Sequence, residues 1–174
     1  MKHLHIETNR LFITTFNEEM AEVVHLNSLD EDNRNFVPDE VFETVETAKE
    51  TILYLRVCYG KKDVPLVYPV LLKNKENIGY VQAVPYKEGW EVGYHITKQY
   101  TKNGYATEAI QAFLPVIMDY LVITEIYAVC LKRNLASQRV LEKSGFKEIY
   151  QGLDQYQGQE KEIYKYLYAL KGIE

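Results

Sequence analysis

The stretch that constrains this chain most is the one in which its hydrophobic period changes. Glu91-Val-Gly-Tyr-His-Ile96 alternates as a strand does, whereas Ala106, Ala109, Ile110, Phe113, Leu114 and Ile117 recur on one face of a helix. Between them, Thr101-Lys-Asn-Gly-Tyr-Ala-Thr-Glu-Ala109 sets Gly104 among polar residues just before the apolar face begins. A strand, a tight loop and a helix start must therefore follow one another here. The first four N–H groups of a helix lack internal partners and carry about half a positive charge, so a loop that turns amides inward at that point seats a phosphate. Gly104 lets the backbone approach closely. Glycine, asparagine and lysine are also ordinary turn residues, and the loop alone reads equally as a plain connection.

A length of 174 residues suits one domain, and 47% apolar content is enough for a sizeable core. There is no apolar run of the roughly 18 residues a membrane span needs, and the start, Met-Lys-His-Leu-His-Ile-Glu, is not a signal peptide, so a cytoplasmic protein without a membrane partner is expected. Cys58 and Cys130 lie far apart in apolar surroundings and read as packing residues. The balance of 20 Lys+Arg against 25 Asp+Glu, a formal charge of −5 with no basic stripe, disfavours nucleic acid and favours a cationic substrate such as an amine. Fifteen tyrosines suit strands and pocket walls alike.

Taken in order, Ile6 to Phe16 reads as a first strand, and Asn17 caps a helix from Glu18 to Leu29 with Met20, Val23, Val24 and Leu29 inward. Asp30 to Phe42, broken by Pro38, reads as a loop or broken helix that either covers a pocket or merely connects. Thr47 to Tyr59 is a helix closed by Gly60. Leu66 to Lys73, Ile78 to Pro85 and Trp90 to Ile96 form an antiparallel meander, the last two joined by a Lys87-Glu88-Gly89 turn. Gly79 and Gly93 inside it imply a bulge or a ligand alongside, and Pro69 implies an edge position or an irregular start. Pro115 predicts a kink in the central helix, or an end near Tyr120. Glu125 to Leu131 is a buried strand, Asn134 caps a helix to Lys143, and Phe146 to Gln151 with Glu162 to Leu170 form a closing hairpin across a polar link.

This mixing favours an α+β fold, a sheet with helices on its faces. Thr101 to Ala109 also resembles the pyrophosphate loop of the GNAT superfamily of N-acetyltransferases, written Gln/Arg-x-x-Gly-x-Gly/Ala, with Gly104 and Ala106 on the small-residue positions. The Gly-Tyr-Ala-Thr-Glu-Ala run and the opening Ile-Glu-Thr-Asn-Arg-Leu resemble the ribosomal-protein N-terminal (alanine/serine) acetyltransferase branch. Thr101 replaces the usual Gln or Arg, which removes a long polar side chain and leaves the main-chain amides in place. A second segment, Asn134-Leu-Ala-Ser-Gln-Arg-Val-Leu-Glu-Lys-Ser-Gly-Phe146, resembles the one that borders the arm of acetyl-CoA in this family. The resemblance implies a GNAT-like mixed, mostly antiparallel twisted sheet of about seven strands with helices on both faces, over nearly the whole chain.

It also implies acetyl-CoA as co-substrate, held by Ile96, Thr101, Lys102, Asn103, Gly104, Tyr105, Ala106, Asn134 and Ser137, and direct acetyl transfer to a primary amine, a protein N-terminal α-amine or a small amine. Reference pKa values of about 7.7 to 8.0 for an α-amine and about 10.4 for lysine mean that the amine must lose a proton near neutral pH. Glu91 is the first candidate base and His95, on the same strand face, the second; either is equally a structural residue. A main-chain N–H near the strand end at Ile96 would meet the oxyanion. Leu141 stands where many members carry a tyrosine acid, and Ser137 is the substitute the branch suggests, or a small residue needed for close approach. His3, His5 and His25 have no acidic or cysteine partners at ligand spacing, so no metal is expected. A silent acetyl-CoA-binding sensor of the same fold is the alternative function, and the terminal hairpin could pair with a second copy.

Overall fold

A computed structural model of the protein describes residues 4–87 and 89–170, so His3 and the Glu88 of the expected turn lie outside the described residues. Its strands are β1 (Ile6–Glu7), β2 (Leu11–Ile13), β3 (Leu66–Leu72), β4 (Asn77–Tyr86), β5 (Gly89–Ile96), β6 (Glu125–Leu131), β7 (Lys147–Tyr156) and β8 (Gln159–Ala169). Helices α1 (Ala21–Ser28), α2 (Glu31–Phe36) and α3 (Val45–Cys58) follow β2; α4 (Tyr105–Leu121) joins β5 to β6, and α5 (Leu135–Lys143) joins β6 to β7. The strands form one sheet in the order β1-β2-β3-β4-β5-β6-β8-β7. Every neighbouring pair is antiparallel except β5 and β6, which run parallel and pair at Glu91↔Tyr127 alone.

Strand alternation sorts the faces. Tyr80, Gln82 and Val84 sit opposite His95, Gly93 and Glu91 on one face, and there Phe16, Ala21, Ile52 and Leu55 of the α1 and α3 layer pack with Val67 and Tyr80. Val81, Ala83, Val92 and Ile96 point the other way, into the core built by Ala109, Ile110, Phe113, Leu114 and Ile117 of α4. Burying α4 along its whole apolar face fixes its first turn against the end of β5. The expected mixed, mostly antiparallel sheet with helices on both faces is therefore present.

The sheet has eight strands rather than about seven, because Ile6 to Phe16 is not one strand. Thr8 turns the chain: its N–H donates to Leu11 O at 3.0 Å and its hydroxyl oxygen accepts from Leu11 N at 2.9 Å, folding β1 back on β2. The next expected helix opens with a 3-10 turn at Glu18–Met20, and Ala21 and Ser28 are its buried residues, whereas Met20, Val23, Val24 and Leu29 are only half-buried. Pro69 lies on β3 between β2 and β4, not on an edge. Its carbonyl accepts from Thr14 N, it has no N–H to return, and β2 ends at Ile13. The tail hairpin is longer than expected: its polar link belongs to the strands, and Gln157-Gly158, both at positive φ, make the two-residue turn.

α4 ends at Leu121, close to the expected end near Tyr120, and Pro115 does not break it earlier. The proline falls on the exposed face, where the Gln111 carbonyl it leaves unbonded meets water, while Phe113, Leu114, Ile117 and Met118 hold the helix to the sheet. The two strand glycines have different causes. A Cβ on Gly79 would lie 2.0 Å from His95 O, at the point where β3 and β4 shift register; on Gly93 it would meet the Gln82 side chain at 2.7 Å. Gly79 thus marks a bulge, and Gly93 makes room for a neighbouring side chain. Among the described residues no helix is long and apolar enough to cross a membrane.

Candidate active site

At the end of β5 a 3-10 turn, Lys98–Tyr100, leads into the loop before α4. Lys102 and Gly104 both adopt left-handed backbone, at φ 65° and 79°. Among the described residues nothing accepts a hydrogen bond from the main-chain N–H groups of Lys102 to Thr107. The loop carbonyls, in contrast, are occupied: Asn103 Nδ2 donates to Tyr100 O and Thr101 O at 3.2 and 3.1 Å, and Arg10 Nη1 donates to Asn103 O at 3.0 Å. Fixing the carbonyls on one side leaves the amides and the positive end of α4 on the other, the arrangement an anion requires. Thr101 turns its hydroxyl to Lys98 O at 2.8 Å, away from the amides.

Arg10 was not among the residues the sequence singled out. Its Nε bonds Glu108 Oε2 at 2.6 Å and its guanidinium lies 4.6 Å from the Tyr105 ring centre, so it clamps the loop from the β1–β2 turn. It brings back a long cationic side chain where Thr101 lacks one. The signal was the opening Thr-Asn-Arg-Leu, which resembles the family's start but says nothing about where the arginine reaches.

On the α1–α3 face, Glu91 sits at the only residue pair that joins β5 to β6. Burial, then the nearby Glu40 carboxylate, push its carboxyl up to about 7, against the pull of Lys165. Glu40 closes the 3-10 turn after α2; burial raises it too, although Gln82 Nε2 donates to its Oε1 at 3.2 Å. Its Oε2 is buried without a partner. Two carboxylates in one another's field are the chemistry that attracts a cation. His95 shares the face but is occupied, with Nε2 3.2 Å from Asp30 Oδ2. Burial alone would raise the Asp30 carboxyl; the His95 ring and the Asn33 and Lys98 N–H groups outweigh it and bring it to about 2. Asp30 also caps α2, so His95 anchors the Asp30 to Phe42 segment over this face. Arg133 Nη2 to Asn35 O and Gln157 Nε2 to Phe36 O, at 3.0 and 3.2 Å, hold the same segment from the turn after β6 and from the hairpin turn.

Past Glu91 the β5–β6 ladder stops. Thr97 N donates to Ile78 O across β4, so alternation turns the N–H groups of Ile96 and Tyr94 toward the gap. On the α4 side of that gap, Tyr94 Oη reaches the first turn of α5, 2.9 Å from Ser137 Oγ and 3.0 Å from Ser137 O. Asn134 accepts from Ser137 N at 3.1 Å as the cap of α5, and Leu141 is buried in the core. The predicted residues therefore form three groups: Glu91 and His95 on one face, Asn134 and Ser137 on the other, and the 101–106 loop beyond the gap. A hollow of about 840 Å³ lined by Phe16, Met20, Arg56 and Lys75 contains none of them. A cavity of about 30 Å³ reaches Glu40, Tyr80 and His95.

The family model for the acetyltransferase (GNAT) domain matches residues 10–147. An uncharacterized N-acetyltransferase, YnaD, of Bacillus subtilis (strain 168) is 31% identical over 147 residues, which are 83% of each chain. Among solved structures, an acetyltransferase (GNAT family) from Bacillus anthracis superposes with a TM-score of 0.80 at 26% identity, covering 95% of this chain and 98% of its own. The ribosomal L7/L12 α-N-protein acetyltransferase RimL, in complex with coenzyme A, gives a TM-score of 0.82 at 15% identity over 96% and 98%.

Proposed function

Because this chain belongs to the GNAT acetyltransferase family, we propose that it transfers an acetyl group from acetyl-CoA to a primary amine, a protein N-terminal α-amine or a small amine, by direct attack on the thioester. The observation that carries this reading is the gap past Glu91↔Tyr127, opened beside a helix start whose amides have no protein acceptor. Those residues fit the coenzyme. The amides from Lys102 to Ala106 would hold its diphosphate, with Arg10 keeping the loop in shape, and the strand gap would take its arm between Ile96 and Asn134. When bound, acetyl-CoA supplies an activated acyl group with a thiolate leaving group.

The chain's own groups supply the rest. Glu91, raised to about 7, can take a proton from the arriving ammonium and pass it to water before the attack. Glu40, raised by burial as well, is a second carboxyl in its field, and the pair favours an acceptor that enters as a cation. The Ile96 N–H, turned into the gap, would meet negative charge that develops on a carbonyl oxygen. RimL is an α-N-protein acetyltransferase of ribosomal L7/L12, which supports a protein N-terminus as one acceptor class.

A thiol-release assay with acetyl-CoA over a panel of peptides and polyamines tests this. Release with at least one amine is the expected result. Binding of acetyl-CoA without release across the panel would favour a silent sensor, and no binding would remove the coenzyme site.

A further inference from the structure

We propose that Tyr94 is a positioning residue for the hydrogen-bond donor to the departing sulfur: its phenol holds Ser137 so that the serine hydroxyl is free to donate a hydrogen bond into the strand gap. This rests on the acetyl-transfer reading given above.

The base serves the nitrogen and the donor serves the sulfur, and the sheet already separates the two. Glu91 is on the α1–α3 face, while Tyr94, three residues on, points to the α4–α5 face. Leu141, buried at 1% exposure, offers no hydroxyl from α5. Ser137 does, and Tyr94 is the side chain that holds it. A phenol has one proton and here two acceptors, Ser137 O at 3.0 Å and Ser137 Oγ at 2.9 Å. When that proton goes to Oγ, the serine's own proton is released from the pair. Burial raises the Tyr94 phenol, which keeps it neutral and a donor throughout the working range. Cys130, the thiol beside Ser137, is pushed up by burial to about 11 and stays protonated, so it does not compete as an anion.

The step balances as follows. The nitrogen–carbon bond forms and the carbon–sulfur bond breaks; the amine's proton goes to Glu91. The sulfur leaves as a thiolate that accepts a hydrogen bond from Ser137, itself held by Tyr94; water then supplies the thiolate's proton and removes the one on Glu91, leaving an amide and a thiol.

The test uses coenzyme A itself as probe, bound to the full chain. The thiol pKa of bound coenzyme A, read from thiolate ultraviolet absorbance, should lie below that of the free coenzyme in the parent. Tyr94→Phe and Ser137→Ala should each return most of that difference. In turnover, Tyr94→Phe should lower kcat by roughly 10- to 100-fold with the acceptor KM within about twofold, and Tyr94→Phe/Ser137→Ala should be no worse than Ser137→Ala alone. Unchanged thiol pKa in both variants overturns the proposal, as does an additive double variant. Should Tyr94→Phe fail to fold, Ser137→Ala decides by the same titration. Failure of the parent to bind coenzyme A would instead sink the acetyl-transfer reading itself.

Discussion

Glu91 is charged against the preference of its surroundings, and that has a sign in both stability and rate. Its folded carboxyl is raised to about 7 from an ordinary 4.5, so the folded state binds the extra proton between those values. Stability from this group is full below about 4.5 and is lost as pH rises through about 7. Glu91→Gln should therefore stabilise the fold at pH 8, by on the order of 2 kcal/mol, and hardly at all at pH 4, as thermal melts at the two pH values would reveal. Activity should move oppositely: the parent rate climbs through pH 7, and the glutamine variant loses that limb at unchanged coenzyme affinity. A parent-like pH profile in Glu91→Gln would exclude it as base. Gly104 is a second residue-scale case. A Cβ there would find open space, with Arg10 Nη2 as the near atom at 3.6 Å, so its constraint is φ 79° rather than crowding. Gly104→Val should weaken coenzyme A binding at least tenfold by calorimetry, because a β-branched residue forces the loop out of left-handed backbone.

At the scale of elements, α4 shows where function and stability are separable. Its first turn is left open to a ligand, while its last turn carries avoidable strain: Val122 closes the helix at φ 57° and is 86% exposed. The cap bonds, Val122 N to Asp119 O and Ile123 N to Met118 O, are those a glycine would make without a Cβ penalty. Val122→Gly should raise stability by about 1 kcal/mol in urea titrations and leave coenzyme affinity untouched. Across the sheet, the α2 segment is held by His95, Arg133 and Gln157, from β5, the turn after β6 and the hairpin turn. A polar, proline-broken segment thus becomes a wall over Glu40 and Glu91. Propensity alone predicts its irregularity, and only those distant partners give it a position.

For the whole molecule, the decisive feature is the single parallel neighbour in an otherwise antiparallel sheet. The α4 crossover makes β6 run alongside β5, and a ladder that stops after one residue pair opens the sheet where the α4 amides end. A coenzyme bound there would touch β5, the loop, α4 and α5 together, so it should stabilise the fold as a unit. Coenzyme A at about 100 times its Kd should add about 2.7 kcal/mol, seen as a raised melting temperature, and Gly104→Val should lose that rise at the same concentration. An unchanged melting temperature in the parent would argue against the site.

The sequence by itself determined the α+β class, the meander, the strand–loop–helix at 91–117 and the Asn134 cap, because each depends on period, turn chemistry or capping within a few residues. It left Ile6 to Phe16 as one strand, since the Thr8 turn is fixed by side-chain bonds rather than by glycine or proline. Arg10 against the loop, Glu40 beside Glu91, Asp30 on His95 and Tyr94 on Ser137 were settled only by tertiary structure. Each pair joins residues tens of positions apart, and no local rule of spacing reaches across that distance until the strands have paired and the sheet has chosen its faces.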